Sequence, residues 1–188
     1  MNALIVASNK QISSALASAV RRSGAENIAL AFDAVAAKRM ASERSFGLTV
    51  VYSDSFSGSG VELARIFAAR GSGGVIIIVD GKDADDIARR LEDDGIIVLG
   101  KPLSHTELFR AVKMVRATNC RIARLLEEKR DLLKKIDDMR LVTRAKLILM
   151  QNMGFTEEQA HRHIEKRAMD LRRTRAEVAM DILKTYEV

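Results

Sequence analysis

The chain has 188 residues, 47% of them apolar and 30% charged, with a net charge of +6 and a single cysteine. That composition is ordinary for a folded, soluble protein, and no apolar run approaches the ~20 residues of a membrane-spanning helix. A lone Cys120 excludes an internal disulfide and suits a reducing compartment, so a cytoplasmic location is expected.

In chain order, the opening MNALIVASNK lacks a charged region before its short apolar run, so no signal peptide is expected. Apolar, β-branched-rich runs follow at 3–7, 28–32, 48–52, 75–79 and 96–99, separated by helix-period stretches at 11–22, 34–44, 60–70 and 83–93. Strands that are apolar throughout, alternating with helices, predict a parallel sheet buried on both faces. The fold class expected is therefore α/β then all-α. A flavodoxin-like domain with a five-stranded parallel sheet fills 1–118, a coiled-coil helix spans 119–140, and a three-helix bundle fills 141–188. In such sheets the working site lies beyond the carboxyl ends of the strands, which directs attention to Ala7–Asn9, Tyr52–Gly58, Val79–Lys82 and Gly100–Pro102.

After the fifth strand, Ser104-His105-Thr106-Glu107 predicts a capping box that opens a long helix, since neither Gly nor Pro recurs before Gly154. Leu108, Ala111, Val115, Thr118, Ile122, Leu125, Leu132, Ile136 and Met139 step by threes and fours, with Lys129 interrupting at one seam position. Such a heptad seam, flanked by Glu127, Glu128, Arg130 and Lys135, predicts a homodimer. Val115, Ile122, Leu125, Leu132, Ile136 and Met139 are the expected dimerisation residues; the alternative is a helix lying back along its own domain. Cys120 falls on the outer side.

Beyond Gly154, Thr156–Gln159 is a second capping box, Ala160, Ile164, Ala168 and Leu171 share one helical face, and Val178, Ala179, Ile182 and Leu183 form a third. The charge is unevenly placed: residues 1–103 hold 12 basic and 12 acidic side chains, leaving 19 and 13 for 104–188. A neutral half joined to a basic half points to a control module joined to a polyanion-binding module. Extrapolated at 100° per residue, Arg162, Lys166 and Arg173 lie within about 40° of one another, opposite the apolar face. Arg172 and Arg175 flank them, and Arg144 and Lys146 approach from the preceding helix, giving a candidate phosphate-binding surface. His161 and His163, two apart on a helix, make a poor metal pair. No nucleophile–base constellation or phosphate loop occurs, so neither an enzyme nor a cofactor or metal is expected.

The N-terminal 118 residues resemble the receiver domain of two-component response regulators, through GSGVELAR after the third strand and Lys101-Pro102 after the fifth. That resemblance implies an acidic pair after the first strand to hold Mg²⁺, where this chain has Ala7-Ser8-Asn9. Counting back from Gly60, the phosphoacceptor position falls on Tyr52, and Asp54 lies two residues late; the place of the usual hydroxyl falls on Val79 or Asp80. Only the phosphate-pairing lysine survives, as Lys101. Asp54 is read first as a loop carboxylate, with a residual phosphoacceptor role, aided by Asp80, left open. The domain therefore resembles a degenerate receiver that signals by protein contact.

The tail resembles the ANTAR domain, the RNA-binding output of AmiR- and NasR-type transcription antiterminators, through Ala145-Lys146, Leu149-Met150, Gly154, Thr156–Ala160, Ala168-Met169 and Val178-Ala179. Leu147 departs from the glycine common in that family. The resemblance implies binding of RNA stem-loops in nascent transcripts, with Arg144, Lys146, Arg162, Lys166, Arg172, Arg173 and Arg175 as the contact set, and a sensor protein or kinase as upstream partner. Two alternatives stand beside it. One is a DNA-binding response regulator whose second helix of a helix-turn-helix begins near Gln159, His161 and Arg162; the other is a signalling adaptor that binds no nucleic acid.

Overall fold

The computed structural model describes residues 1–53, 59–71 and 73–186. Its elements run β1 (Asn2–Val6), α1 (Lys10–Arg22), β2 (Asn27–Ala31), α2 (Ala34–Glu43), β3 (Leu48–Tyr52), α3 (Gly60–Ala69), β4 (Gly74–Asp80), α4 (Ala84–Leu91), β5 (Ile96–Lys101), α5 (His105–Met153), α6 (Glu157–Leu171) and α7 (Arg175–Tyr186), with a 3₁₀ turn at Gly81–Asp83. The strands form one parallel sheet in the order β2-β1-β3-β4-β5. The expected fold class is the observed one. By compactness the chain divides into Met1–Ala123 and Arg124–Val188. The boundaries read from the sequence, at 118 and 140, fall inside the unbroken α5. No helix among the described residues is long and apolar enough to cross a membrane.

In the first unit, successive strand residues point to opposite faces of the sheet, and both faces are covered. Ala3, Ile5, Leu48, Val50, Ile76 and Ile78 pack with Leu16 and Val20 of α1 and with Leu108, Val112 and Val115 of α5. Leu4, Val6, Val51, Val75, Ile77 and Val79 meet Ala37 of α2, Leu63, Ala64 and Phe67 of α3, and Leu91 of α4. The α5 helix opens with the expected capping box: Glu107 N–H donates to Ser104 Oγ at 3.1 Å, and Ser104 N–H donates to Glu107 Oε2 at 3.2 Å. It stays on the sheet as far as Asn119, whose side-chain amide donates to the Gly47 carbonyl at 2.6 Å.

This docking corrects one of the dimerisation residues. Val115 is 4% exposed in the core of its own domain, so it is unavailable to a second chain. A helix lying on a sheet and a helix in a coiled coil present the same three-and-four spacing, which is why the seam seemed to begin so early. Its close approach depends on Gly74, where a Cβ would lie 2.6 Å from Val115 Cγ1.

In the second unit, Ala145, Ile148 and Leu149 of α5 meet Ala160, Ile164 and Ala168 of α6 and Val178, Ala179, Ile182 and Leu183 of α7. Small residues at these contacts let three short helices approach closely enough to bury a core from few side chains. Gly154, at φ +68°, ends α5 in the left-handed conformation that glycine adopts without a Cβ penalty.

Gly74→Ala is expected to destabilise the first unit by about 1–3 kcal/mol, because Val115 and the α5 backbone must shift to admit a methyl group. Hydrogen exchange should show the loss of protection across residues 108–115, with the amides of α6 and α7 unchanged.

Candidate nucleic-acid interface and receiver site

Two places carry the chemistry singled out in the sequence. The first lies at the carboxyl ends of β1, β3, β4 and β5. Where a receiver needs acidic ligands after β1, Ala7 is fully buried, and Asn9 instead caps α1, its Oδ1 accepting from the Gln11 and Ile12 N–H groups at 2.8 and 3.3 Å. Tyr52, where the sequence count put the phosphoacceptor position, ends β3. The Lys101 ammonium sits 4.5 Å from the centre of the Tyr52 ring and 3.4 Å from Asp80 Oδ1. A cation–π contact and an ion pair thus engage the Lys101 ammonium at the end of a side chain only 17% exposed. Gly81 makes this geometry possible, because a Cβ there would overlap the Lys101 carbonyl oxygen.

Among the described residues, the donors at this place do not fit a magnesium ion, which takes carboxylates in near-octahedral geometry. Among the described residues no group of three His, Cys, Asp or Glu side chains is placed to hold a metal. Asp54 lies outside the described residues.

The second place is the outer surface of the three-helix unit. The α6 helix begins at Thr156 with a reciprocal cap: Gln159 N–H donates to Thr156 Oγ1, and Thr156 N–H donates to Gln159 Oε1 at 2.9 Å. With Ala160 and Ile164 fully buried, the opposite face is left to Arg162 and Lys166, both exposed. The helix ends at Leu171, and Arg172 takes a left-handed conformation at φ 52°. That turn corrects the placement of Arg173. Its position had been extrapolated along a continuing helix, whereas its side chain folds onto α7 and pairs with Asp181 at 2.5 Å.

The expected contact residues differ in how they are engaged. Arg162 pairs with Glu158 one turn back at 2.5 Å, with both side chains about three-quarters exposed. Arg175 reaches Glu165 at 3.0 Å, and the same carboxylate lies 3.3 Å from His161 Nε2. Lys146 is only 17% exposed and donates to Glu157 at 2.7 Å, so it ties α5 to α6 more than it presents charge. Arg144 also has a partner. Among the described residues Lys166 and Arg172 have no carboxylate partner; Arg167, which was not among the residues expected from the sequence, forms no ion pair, but its charge acts on Asp181. It follows Lys166 and precedes the buried Ala168, a position that a count of exposed cations around α6 would have included.

Two further features escaped the sequence reading. Thr174 and Glu177 form a third cap, with Glu177 N–H donating to Thr174 Oγ1 at 3.2 Å and Thr174 N–H donating to Glu177 Oε2 at 2.8 Å. The Thr-x-x-Glu spacing would have revealed it. The second is Met169, 80% exposed on the same face as Arg162 and Lys166.

The ion pairs polarise their carboxylates. The hydrogen bond from Arg173 holds Asp181 below its ordinary range, and that from Lys146 does the same for Glu157. Glu177 is lowered by the Thr174 backbone and hydroxyl, and Arg173 is raised by Asp181.

Comparison with known proteins bears on both units. Residues 130–183 match the ANTAR domain family. Over 170 residues the chain is 26% identical to the transcriptional regulatory protein PdtaR of Mycobacterium tuberculosis, covering 90% of this chain and 83% of that protein. The receiver domain of Francisella response regulator 1452 superposes with a TM-score of 0.52 at 21% identity, covering 61% of this chain and 94% of that one. A CheY-like receiver domain protein from Methanospirillum hungatei JF-1 gives 0.56 at 16%, covering 64% and 96%. NtrX from Brucella abortus gives 0.57 at 19%, covering 70% and 29%. The chain therefore carries an ANTAR domain behind a domain of receiver fold.

A carboxylate whose pKa is depressed in the folded state contributes stability above its unfolded pKa and loses that contribution as pH falls through the folded one. The second unit should accordingly lose stability on acidification below about pH 4, where unfolded carboxylates take up protons. Asp181→Asn should lower Tm at pH 7 and flatten the fall in Tm between pH 5 and 2, as followed by circular dichroism.

Proposed function

We propose that this chain is a transcription antitermination regulator of the AmiR/NasR type, which binds RNA stem-loops through its ANTAR unit, works as a homodimer, and is controlled through a pseudo-receiver. The observation that carries the reading is the exposed face of Arg162 and Lys166, with Arg172 at the C-terminal turn of the helix, within the segment that matches the ANTAR domain. The printed name of the PdtaR relative, a transcriptional regulatory protein, is in keeping with it.

A rigid face carrying guanidinium and ammonium groups suits phosphate oxygens, and an exposed Arg–Glu pair one turn apart gives up little when the arginine turns to a phosphate. Aromatic side chains are few in this unit, and Phe155 is taken up in a tilted contact with the His163 ring at 5.6 Å. Shape and phosphate contacts therefore contribute more than base stacking. A homodimer would present two such faces and so hold two hairpins with an avidity gain.

Control through protein contact follows from the receiver site. With Tyr52 at the acceptor position and Lys101 already engaged by Asp80, no carboxylate among the described residues is set up to accept a phosphoryl group beside a metal. The input is then a sensor protein docking on the receiver surface, in a cytoplasmic setting.

The helix-turn-helix alternative is less well supported. The N-terminal turn of a recognition helix must enter the major groove, yet α6 opens with Glu157 and Glu158, and the Gln159 side chain is used in the cap.

Fluorescence anisotropy should find tight binding to tandem-hairpin RNA, weaker binding to one hairpin and weaker still to duplex DNA. Arg162→Glu with Lys166→Glu should reduce RNA affinity at least tenfold and make the salt dependence shallower. A preference for duplex DNA, or indifference to every nucleic acid, would sink the reading. Incubation with acetyl phosphate and Mg²⁺ should leave the intact mass unchanged; a phosphoryl adduct mapped to Asp54 would overturn the pseudo-receiver assignment.

A further inference from the structure

The middle of α5 presents an unpartnered apolar face. Every residue from 120 to 137 is exposed, and Ile122, Leu125, Leu126, Leu132, Leu133, Ile136 and Met139 are 41–61% exposed. At 100° per residue these seven fall within an arc of about 140°, wider than a two-residue seam, with Lys129 near its centre. Glu128 and Lys135 border the arc on one side, and Leu126 and Leu133 border it on the other. We infer that this stripe joins two copies of the chain in antiparallel, with Glu128 of each copy against the partner's Lys135. The inference rests on the homodimer reading above and adds its orientation and register.

The borders decide between arrangements. In a parallel pair, each flanking residue meets the one five positions later in its partner, from the opposite border. Lys135 would then face Arg140 of the partner subunit, Glu128 would face an apolar Leu133 of the partner subunit, and the two Lys129 ammonium groups would occupy one layer of the seam. Like charge and a stranded carboxylate both oppose that arrangement.

In an antiparallel pair, residues on the same border meet. Setting Leu125 opposite the partner's Ile136 also sets Ile122 opposite the partner's Met139 and Lys129 opposite the partner's Leu132. The same register brings Glu128 to the partner's Lys135, twice by symmetry. It also brings Leu126 to the partner's Leu133, twice, on the other border. Sliding by one heptad in one direction places Glu128 against its own copy, and sliding in the other does the same to Lys135. One register therefore satisfies both borders. Each Lys129 lies against an apolar layer, where its alkyl stem covers Leu132 of the partner subunit and its ammonium extends to solvent.

Sedimentation equilibrium of the full chain at low salt tests the arrangement with three variants at exposed positions, each checked for unchanged helicity. In the antiparallel register, Lys135→Glu and Glu128→Lys each replace two attractive contacts by two repulsive ones. Either is expected to raise the dimer dissociation constant about tenfold. The double exchange should return it to within about threefold of the original, and the effects should fade at about 1 M salt. If Lys135→Glu instead tightens the dimer, by gaining Arg140 of the partner subunit, the helices are parallel and the inference is overturned. If neither single variant changes a dimer that does form, the contact lies elsewhere and the inference is equally overturned, although the homodimer reading stands. A wild-type chain that stays monomeric defeats both, and leaves RNA binding to be judged by anisotropy alone.

Discussion

The apolar surface of one helix, and what covers it along its length, is the constraint on which the rest of this protein depends. A helix long enough to serve two units must bury its apolar side chains differently in each. From Leu108 to Val115 the α5 stripe is covered by the sheet, and from Ala145 to Leu149 it is covered by α6 and α7. Between these, the apolar side chains from Ile122 to Met139 are open to water. An isolated stretch of that kind forfeits about 25 cal/mol for each Å² of apolar surface it leaves exposed, a standing incentive to associate. The two ends of α5 are explained by their own units, and the proposed association would cover the middle.

The receiver site shows the same economy at the level of single side chains. A lysine ammonium at the end of a parallel sheet, mostly screened from solvent, needs a counter-charge. In a phosphorylatable receiver that need is part of the switching chemistry. Here Asp80 and the Tyr52 ring satisfy it within the resting fold, and Gly81 lets the backbone approach closely enough for them to do so.

Much of this was legible in the sequence because the relevant signals are local. Five near-continuous apolar runs identify buried parallel strands, and Ser104–Glu107 and Thr156–Gln159 mark helix starts through contacts only three residues apart. What escaped depends on distance or on a break in helical phase. Val115 satisfies the spacing of a coiled coil and of a sheet-packed helix equally well, and only the approach of Gly74 distinguishes them. Arg173 was misplaced because Arg172 adopts a left-handed conformation with no glycine to announce it. The pairing of Arg173 with Asp181 and of Arg175 with Glu165 joins residues eight and ten apart across a turn, beyond the reach of helical periodicity.

That pairing changes how the basic surface should be understood. A positive face with no carboxylates would repel itself and weaken a bundle whose core is built largely from alanine, valine, leucine and isoleucine. Interleaving Glu158, Glu165 and Asp181 relieves that repulsion before any ligand arrives. The pairs are not equivalent. Arg173–Asp181 ties the turn after α6 to α7, and breaking it to reach a phosphate would free that turn. Arg162–Glu158 lies along one helix, exposed on both sides, and can exchange partners without disturbing any packing. Lys166 and Arg172 need no exchange at all. The residues best suited to a polyanion are therefore those whose release costs the fold least: Arg162 and Lys166 on the outer face of α6, and Arg172 at its C-terminal turn. Arg173 and Lys146, charged as they are, belong to the architecture that holds this row in place.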